Sequence, residues 1–207
     1  NKRDFSRPYS SKITGKALIS KHTDTLFTGE KIKNFDKYIT SDVVYVDKST
    51  INAYDYTLLG RKARQIKENP VLAMRTVKTD AEIEHLKSAF ARTDKTMYAI
   101  RKFINENDNI SEYDVAKKLE ELFYEFGAKN LSFKSIVAHN QNSALAHYSK
   151  SSKEEILKDG SLVLIDCGAY YEGGLATDIT RVFVKGNPTD LQKQVYTTVL
   201  IYRSEER

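Results

Sequence analysis

Two carboxylates stand where the sequence makes them costly. Asp166 closes the continuous apolar run at residues 162–165, and Asp178 opens the alternating run Ile179-Thr180-Arg181-Val182-Phe183-Val184. Gly168, Gly173 and Gly174 lie between them. Runs rich in Val, Ile and Phe on both sides of a Gly-Gly pair predict two antiparallel strands joined by a turn. Each strand then delivers one carboxylate to the same part of a sheet. Charges pushed into apolar surroundings need a positive partner. Arg181 lies three positions from Asp178, so in a regular strand it points to the opposite face. A divalent cation is the better partner, because carboxylate oxygens suit hard ions such as Mn, Mg or Ca. The same residues also fit a solvated hairpin with ordinary surface aspartates. Spacing alone leaves both readings open.

The wider pattern narrows the choice. Asp166-Cys167-Gly168-Ala169, then Gly173, then Asp178-Ile179-Thr180-Arg181 resembles the two-aspartate signature of the pita-bread metallopeptidases. That group includes methionine aminopeptidase, prolidase and aminopeptidase P. Upstream come Ser135-Ile136-Val137, a polar loop, Ala146-His147-Tyr148 and Asp159-Gly160-Ser161-Leu162-Val163-Leu164-Ile165-Asp166. This order is most similar to aminopeptidase P, and the resemblance runs from about Asn69 to Leu200. The sequence departs from the pattern twice. Asp178 follows Asp166 by twelve positions, one more than is usual in the family, and Val182 stands where the family usually has Thr. The extra residue falls at residues 172–176, where we expect a bulge to absorb it.

The resemblance implies a chemistry. Two divalent ions, Mn by expectation with Zn or Co as alternatives, would be chelated by Asp166 and bridged by Asp178. A hydroxide formed between them would attack the scissile carbonyl, so no Ser or Cys nucleophile is needed, and Cys167 is expected to be a small core residue. His147 matches the family His that contacts substrate near the scissile bond. The implied reaction removes the N-terminal residue from peptides with proline in second position. Prolidase activity is the alternative, and a non-catalytic interaction module of the same fold is the competing class; such relatives lack the acidic pair kept here. In the family, a later half supplies a metal-binding His and two Glu, and this sequence shows none of it. The piece is therefore expected to hold two of five ligands, to lack both ends of the protein, and to be inactive alone. The full-length protein is expected to be a homodimer.

The elements that must position these residues can be read locally. Residues 17–19 and 25–27 read as short strands, residues 30–39 as an amphipathic helix, and residues 43–46 as a buried strand. Thr50 is expected to cap a helix at residues 51–59 that Gly60 ends. Asn69-Pro70 marks the expected domain boundary. Thr79-x-x-Glu82 reads as a capping box opening a helix to about Asn107, with Ile83, Leu86, Phe90, Met97, Ile100 and Ile104 as its inward stripe. Ser111 should cap the next helix, with Val115, Leu119, Leu122, Phe123 and Phe126 inward and Gly127 as its stop. Strands follow at residues 131–137, 162–170 and 177–184. A last helix is capped by Thr189-x-x-Gln192, with Leu191, Val195 and Val199 inward. His85, His139 and His22 are read as surface residues, and Tyr148 as packing. The expected fold class is thus α+β: the first half of a pita-bread (creatinase/aminopeptidase) fold over residues 70–207, preceded by the tail of a creatinase-like α/β domain at residues 1–69. Asn1-Lys2-Arg3-Asp4 loosely resembles an N-x-R-x-x-D region of that preceding domain.

Composition sets the outer bounds. The chain has 207 residues, 40% of them hydrophobic, with three Pro and nine Gly, enough for a core and unlike a low-complexity chain. No apolar run approaches the ~18 residues of a membrane span. The single cysteine rules out an internal disulfide and fits a reducing, cytoplasmic setting. Residues 1–78 carry sixteen Lys and Arg against eight Asp and Glu, whereas residues 79–207 carry seventeen against twenty. The basic residues are scattered without a nucleic-acid motif, so a solvated surface rather than a nucleic-acid partner is expected.

Overall fold

The computed structural model describes residues 3–22 and 24–205, and the backbone only of Glu205; Asn1 and Lys2 of the loose N-x-R likeness lie outside the described residues. Contacts divide the chain into two units. One comprises Lys12–Asp80, and the other comprises Arg3–Ser11 with Ala81–Arg207. The division falls later than the expected boundary at Asn69-Pro70, because the helix that Pro70 opens groups with the first unit.

In the first unit, β1 (Gly15–Ile19) and β2 (Asp24–Thr28) form an antiparallel hairpin with Gly15 opposite Thr28. The helix expected at residues 30–39 is a 3-10 helix at Gly29–Tyr38. Asn34 breaks it with φ −116° and ψ 25°, splitting the segment into tight turns that bury Phe35 but cannot propagate i to i+4 bonds. The strand β3 (Val44–Val46) buries only Val46, while Tyr45 is 72% exposed, so the buried strand expected at residues 43–46 is shorter and only half-buried. The helix α1 (Ala53–Leu59) is capped by Asn52, not Thr50: the Asn52 side chain accepts from the Asp55 N–H. After it β4 (Ala63–Gln65) pairs parallel to β3, as a crossover helix allows. The helix α2 (Pro70–Thr76) places Pro70 at its first turn, with Asn69 as its cap. There a missing N–H costs nothing, so a residue that looked like punctuation begins a helix. Phe27, Phe35, Val46, Leu59 and Ala63 form this unit's core.

The second unit carries the candidate site. The helix α3 (Asp80–Glu106) starts directly after Thr79, and α4 (Glu112–Glu125) opens on a full capping box between Ser111 and Asp114. Gly127, with φ 89°, ends α4 as expected. The α3 stripe is inward only in its later turns: Met97, Ile100 and Ile104 are buried, whereas Ile83 and Phe90 are exposed. The expected strand at residues 131–137 is interrupted. The short β5 (Asn130–Leu131) and β6 (Ile136–His139) flank four looped residues. Next come β7 (Leu162–Cys167), β8 (Ala169–Tyr170) and β9 (Ile179–Val184). One sheet has the antiparallel order β6-β7-β9, and β5 pairs with β8. Val137, Val163, Ile165 and Cys167 join Ile100, Ile104, Val115, Leu119 and Phe123 in one core. Burial of each large member contributes roughly 1.5–3 kcal/mol, which fixes the sheet against α3 and α4.

The last helix, α5 (Asp190–Glu205), has the expected reciprocal cap. The Gln192 N–H donates to Thr189 Oγ1 at 3.2 Å and the Thr189 N–H to Gln192 Oε1 at 2.8 Å. Its expected inner face is not inward: Leu191 is 69% and Val199 63% exposed. With residues of β9 such as Val182 they line an open groove of about 1160 Å³. Among the described residues no helix is long and apolar enough to cross a membrane.

Candidate functional site

The aspartates are placed by the β7–β9 ladder. Pairing runs from Leu162 opposite Val184 to Cys167 opposite Ile179, with Asp166 opposite Thr180. The same register continues past the strand ends to the bridge of Tyr170 with Ala176. The bulge expected there is therefore absent. The extra residue is taken up in the loop at residues 171–175, leaving the ladder unslipped. Asp178 consequently falls opposite Gly168 and on the same sheet face as Thr180 and Asp166. Side chains on a face at this diagonal separation lie about 7 Å apart. Arg181 pairs with Ile165 on the opposite face, as the spacing implied.

Both carboxylates look outward. Asp178 is exposed and Asp166 half-buried, and Thr180 Oγ1 donates to Asp166 Oδ1 at 3.0 Å. Behind them the Cys167 thiol is buried and free. Burial first, then the charges of Asp166 and Asp178, push its pKa up to about 12, against the opposing pull of Arg181. A thiol held protonated in this way is not a nucleophile.

The position of Asp178 is held from below. Thr177 is fully buried: its Oγ1 lies 2.9 Å from Thr93 Oγ1 of α3 and accepts from the Ala169 N–H at 3.0 Å. Tyr171 OH meets the same Thr93 hydroxyl at 3.1 Å. Ser132 Oγ donates to the Thr177 carbonyl at 3.0 Å. At the tip of this hairpin, Ser11 Oγ donates to the Gly174 carbonyl at 2.7 Å, and Asn130 Nδ2 donates to the Arg7 carbonyl at 2.6 Å. Residues 3–11 thus belong to this unit through bonds the sequence did not advertise.

His147 lies on the loop that follows β6. It is exposed and its φ is 53°, in the left-handed region, where a non-glycine side chain needs support from its neighbours. The loop leaves β6 at His139, far from Asp166, and then returns. Ser151 Oγ donates to the Val137 carbonyl at 3.3 Å, and Lys134 Nζ donates to the Ser149 carbonyl at 2.7 Å. Lys134 sits just before Ile136, the residue paired with Asp166. Residues 149 and 151, just after His147, are therefore tied near the end of β6 that pairs with Asp166, while Tyr148 is held by Glu112 at the His139 end.

The residue that sequence reasoning missed is Glu112. It occupies the first turn of α4 and is wholly buried, 0% exposed. Its Oε1 accepts from the His139 N–H at 2.8 Å and from Asn142 Nδ2 at 2.9 Å. Its Oε2 accepts from Tyr148 OH at 2.8 Å and from the Ser152 N–H at 2.9 Å. Burial alone would raise its pKa, but the bonds from Ser152, Asn142, His139 and Tyr148 hold it below the ordinary carboxylate range. The Tyr148 hydroxyl is pushed up to about 12 by burial and by Glu112. A Glu in a first helical turn is ordinarily a solvated dipole partner, so no local signal distinguishes this one. Two other expectations are corrected by the same network. His139 is buried at the end of β6 rather than on the surface, because its backbone feeds Glu112. Tyr148 is a hydrogen-bonded anchor as well as a packing group.

As a cation site, the pair offers two hard carboxylate oxygen donors on one outward face, a chemistry that fits Mn-like ions. Among the described residues no group of three or more His, Cys, Asp or Glu stands together as a metal shell, so further ligands would come from beyond this pair.

Comparison with known proteins places the chain in a family. The profile of metallopeptidase family M24 matches residues 84–204. A Pyrococcus horikoshii protein named Xaa-Pro dipeptidase is 38% identical over 127 residues, covering 61% of this chain and 35% of that protein. An Aspergillus niger protein named probable Xaa-Pro aminopeptidase P is 30% identical over 155 residues, 72% of this chain and 25% of that protein. The chain thus spans about a third or less of the length of these relatives. The crystal structure of the prolidase from Pyrococcus horikoshii superposes with a TM-score of 0.77 and 27% identity, covering 92% of this chain and 60% of that one. The architecture is the mixed α/β pita-bread fold, of which this chain holds a part. With more than half of its residues matched by the family profile, the chain belongs to metallopeptidase family M24.

Proposed function

We propose that this chain forms part of the catalytic region of a metal-dependent aminopeptidase that removes the N-terminal residue from peptides with proline in second position. The observation that carries the reading is the unslipped β7–β9 ladder, which sets Asp166 and Asp178 on one outward face. Residues 1–69 are read as the end of a preceding creatinase-like domain and residues 70–207 as the first half of the peptidase domain. Asp166 and Asp178 would hold two divalent ions, with Mn as the native metal. When bound, such ions lower the pKa of water and polarise the scissile carbonyl. Asp178, between the Thr177 anchor and the ladder, keeps its carboxylate in place for that role. His147 donates a hydrogen bond to the substrate carbonyl as charge develops on it. We read the whole protein as a cytoplasmic homodimer; the one cysteine of these 207 residues, Cys167, is buried and free, which fits a reducing setting.

A dipeptidase reading is favoured by the higher identity to the Pyrococcus relative. The two are separated by substrate length: an aminopeptidase cleaves Xaa-Pro tripeptides and longer chains, whereas a dipeptidase is confined to Xaa-Pro dipeptides. The test is hydrolysis of both substrate sets by the whole protein with Mn. Asp178→Asn should reduce turnover at least a thousandfold while leaving the fold intact, because an exposed isosteric change typically shifts stability by less than about 0.5 kcal/mol. Full turnover after exhaustive chelation would overturn the reading. The 207-residue piece alone should show no turnover with excess Mn, since two carboxylates leave the ions mostly hydrated.

A further inference from the structure

We propose that Glu112 is a positioning residue for His147: one buried carboxylate, presented by the first turn of α4, clamps the loop that carries the imidazole. The inference rests on the reading of His147 as a substrate contact and adds a residue 35 positions earlier in the chain. Its four donors come from His139, Asn142, Tyr148 and Ser152. They bracket His147 on both sides, and Tyr148 is its immediate neighbour. Nothing else in the loop is gripped at so many points by one group. Asn142 Nδ2 also donates to Tyr148 OH at 3.2 Å, tying the two flanks of His147 to each other. The segment after the loop is docked to the same helix end. The Tyr113 N–H donates to the Ser152 carbonyl at 3.0 Å, and the Leu157 N–H donates to the Ile110 carbonyl at 2.9 Å.

The chemistry explains why this group is a carboxylate. A carboxylate offers about four acceptor positions and no donor, and all four partners here are donors. A glutamine of the same shape would turn one oxygen into an NH₂ facing two of them. The helix N-terminus and four hydrogen bonds offset the cost of burying the charge. Stability of the fold alone would be served as well by an apolar residue packed among apolar partners. A saturated charge instead fixes direction, and direction is what a left-handed, solvent-exposed His147 lacks on its own. The buried His139 imidazole adds no bond of its own to the clamp: its Nδ1 stands 3.5 Å from Glu112 Oε1 and has no hydrogen-bond partner.

The experiment uses the whole protein and has two arms. Hydrogen exchange read by mass spectrometry compares wild type with Glu112→Gln. Exchange across residues 139–152 should rise about tenfold or more, with protection of the β7–β9 ladder unchanged. Kinetics on an Xaa-Pro peptide then compares Glu112→Gln, His147→Ala and the double variant. Glu112→Gln should lower kcat/KM about tenfold, and the double variant should fall no further than His147→Ala, within about twofold, because one residue acts through the other. Tyr148→Phe, which removes one donor without stranding the charge, should give an intermediate rise in loop exchange, and it decides the matter should Glu112→Gln fail to fold. Unchanged exchange over residues 139–152 overturns the proposal, and so do losses that multiply in the double variant. A wild-type protein with no Xaa-Pro turnover refutes the proposed reaction and leaves the clamp to be decided by exchange alone.

Discussion

Gly168→Ala should damage both the fold and the site, and the structure sets the scale. Gly168 faces Asp178 across the hairpin in the register that ends at the Tyr170–Ala176 bridge. A Cβ added there would overlap the Thr177 carbonyl oxygen, stand 2.7 Å from the Thr177 carbonyl carbon and 2.5 Å from Ser132 Oγ. The obstacle is backbone, and that backbone is held. The Thr177 N–H donates to the Ala169 carbonyl at 2.9 Å, and Thr177 Oγ1 lies 2.9 Å from Thr93 Oγ1. Relieving the overlap must part the strands and stretch three bonds: Thr177 to Ala169, Ser132 Oγ to Thr177, and the 3.0 Å bond from the Ser132 N–H to the Gly168 carbonyl. At about 1 kcal/mol per bond, with a comparable cost for overpacking, the loss is about 4 kcal/mol. For a urea dependence of about 2 kcal/mol per molar, the midpoint falls by about 2 M. The assay is a urea titration read through exchange protection of the ladder amides, which follows this unit alone. Separating the strands also separates Asp166 from Asp178, so Mn binding read by electron paramagnetic resonance should weaken at least tenfold. A midpoint drop under about 0.5 M would show that the strands move apart freely and would refute the argument.

Two further outcomes follow from the charges. Cys167, with its pKa pushed up to about 12, should resist iodoacetamide at pH 8.5 in the folded protein and react promptly in urea, and Cys167→Ala should keep full turnover; rapid labelling of the native protein would contradict the burial. Folding lowers the pKa of Glu112 below its ordinary value of 4.5, so the ionised group stabilises the fold above the unfolded carboxylate range. That contribution is lost as pH falls through the folded value. Thermal unfolding should therefore show wild type well above Glu112→Gln at pH 7, with the gap closing at acid pH; a gap independent of pH would mean that charge is not what the site holds.

The parts of this molecule that could be read from sequence are those fixed by neighbours along the chain. Ser111 with Asp114, and Thr189 with Gln192, close their caps within three residues, and both were legible. Pro70 was legible as a constraint but not in its sense, since the same fixed φ both discourages a helix before it and begins one after it. On α5, the spacing of Leu191, Val195 and Val199 announces an apolar face, yet periodicity carries no information about what covers that face. Glu112 was out of reach for a related reason. Its partners lie between 27 and 40 residues away, and a first-turn glutamate has the same local signature whether buried or solvated.

The placement of the aspartates turns on a parity that composition does not contain. Side chains alternate along a strand, so one residue added inside the β7–β9 ladder would carry Asp178 to the face of Ile179 and the core. The same residue added to the loop changes nothing on the ladder. Residues 171–175 can take it because Gly174, with φ 68°, turns in the left-handed region and its N–H closes on the Tyr171 carbonyl at 2.7 Å. Tyr171, the first residue of this loop, and Thr177, just past its end, both reach Thr93 of α3. The loop's two feet are thus pinned to one helical residue, and a change of length between them is confined to the tip. That pinning, rather than the spacing of the two aspartates, keeps Asp178 on the face of Asp166.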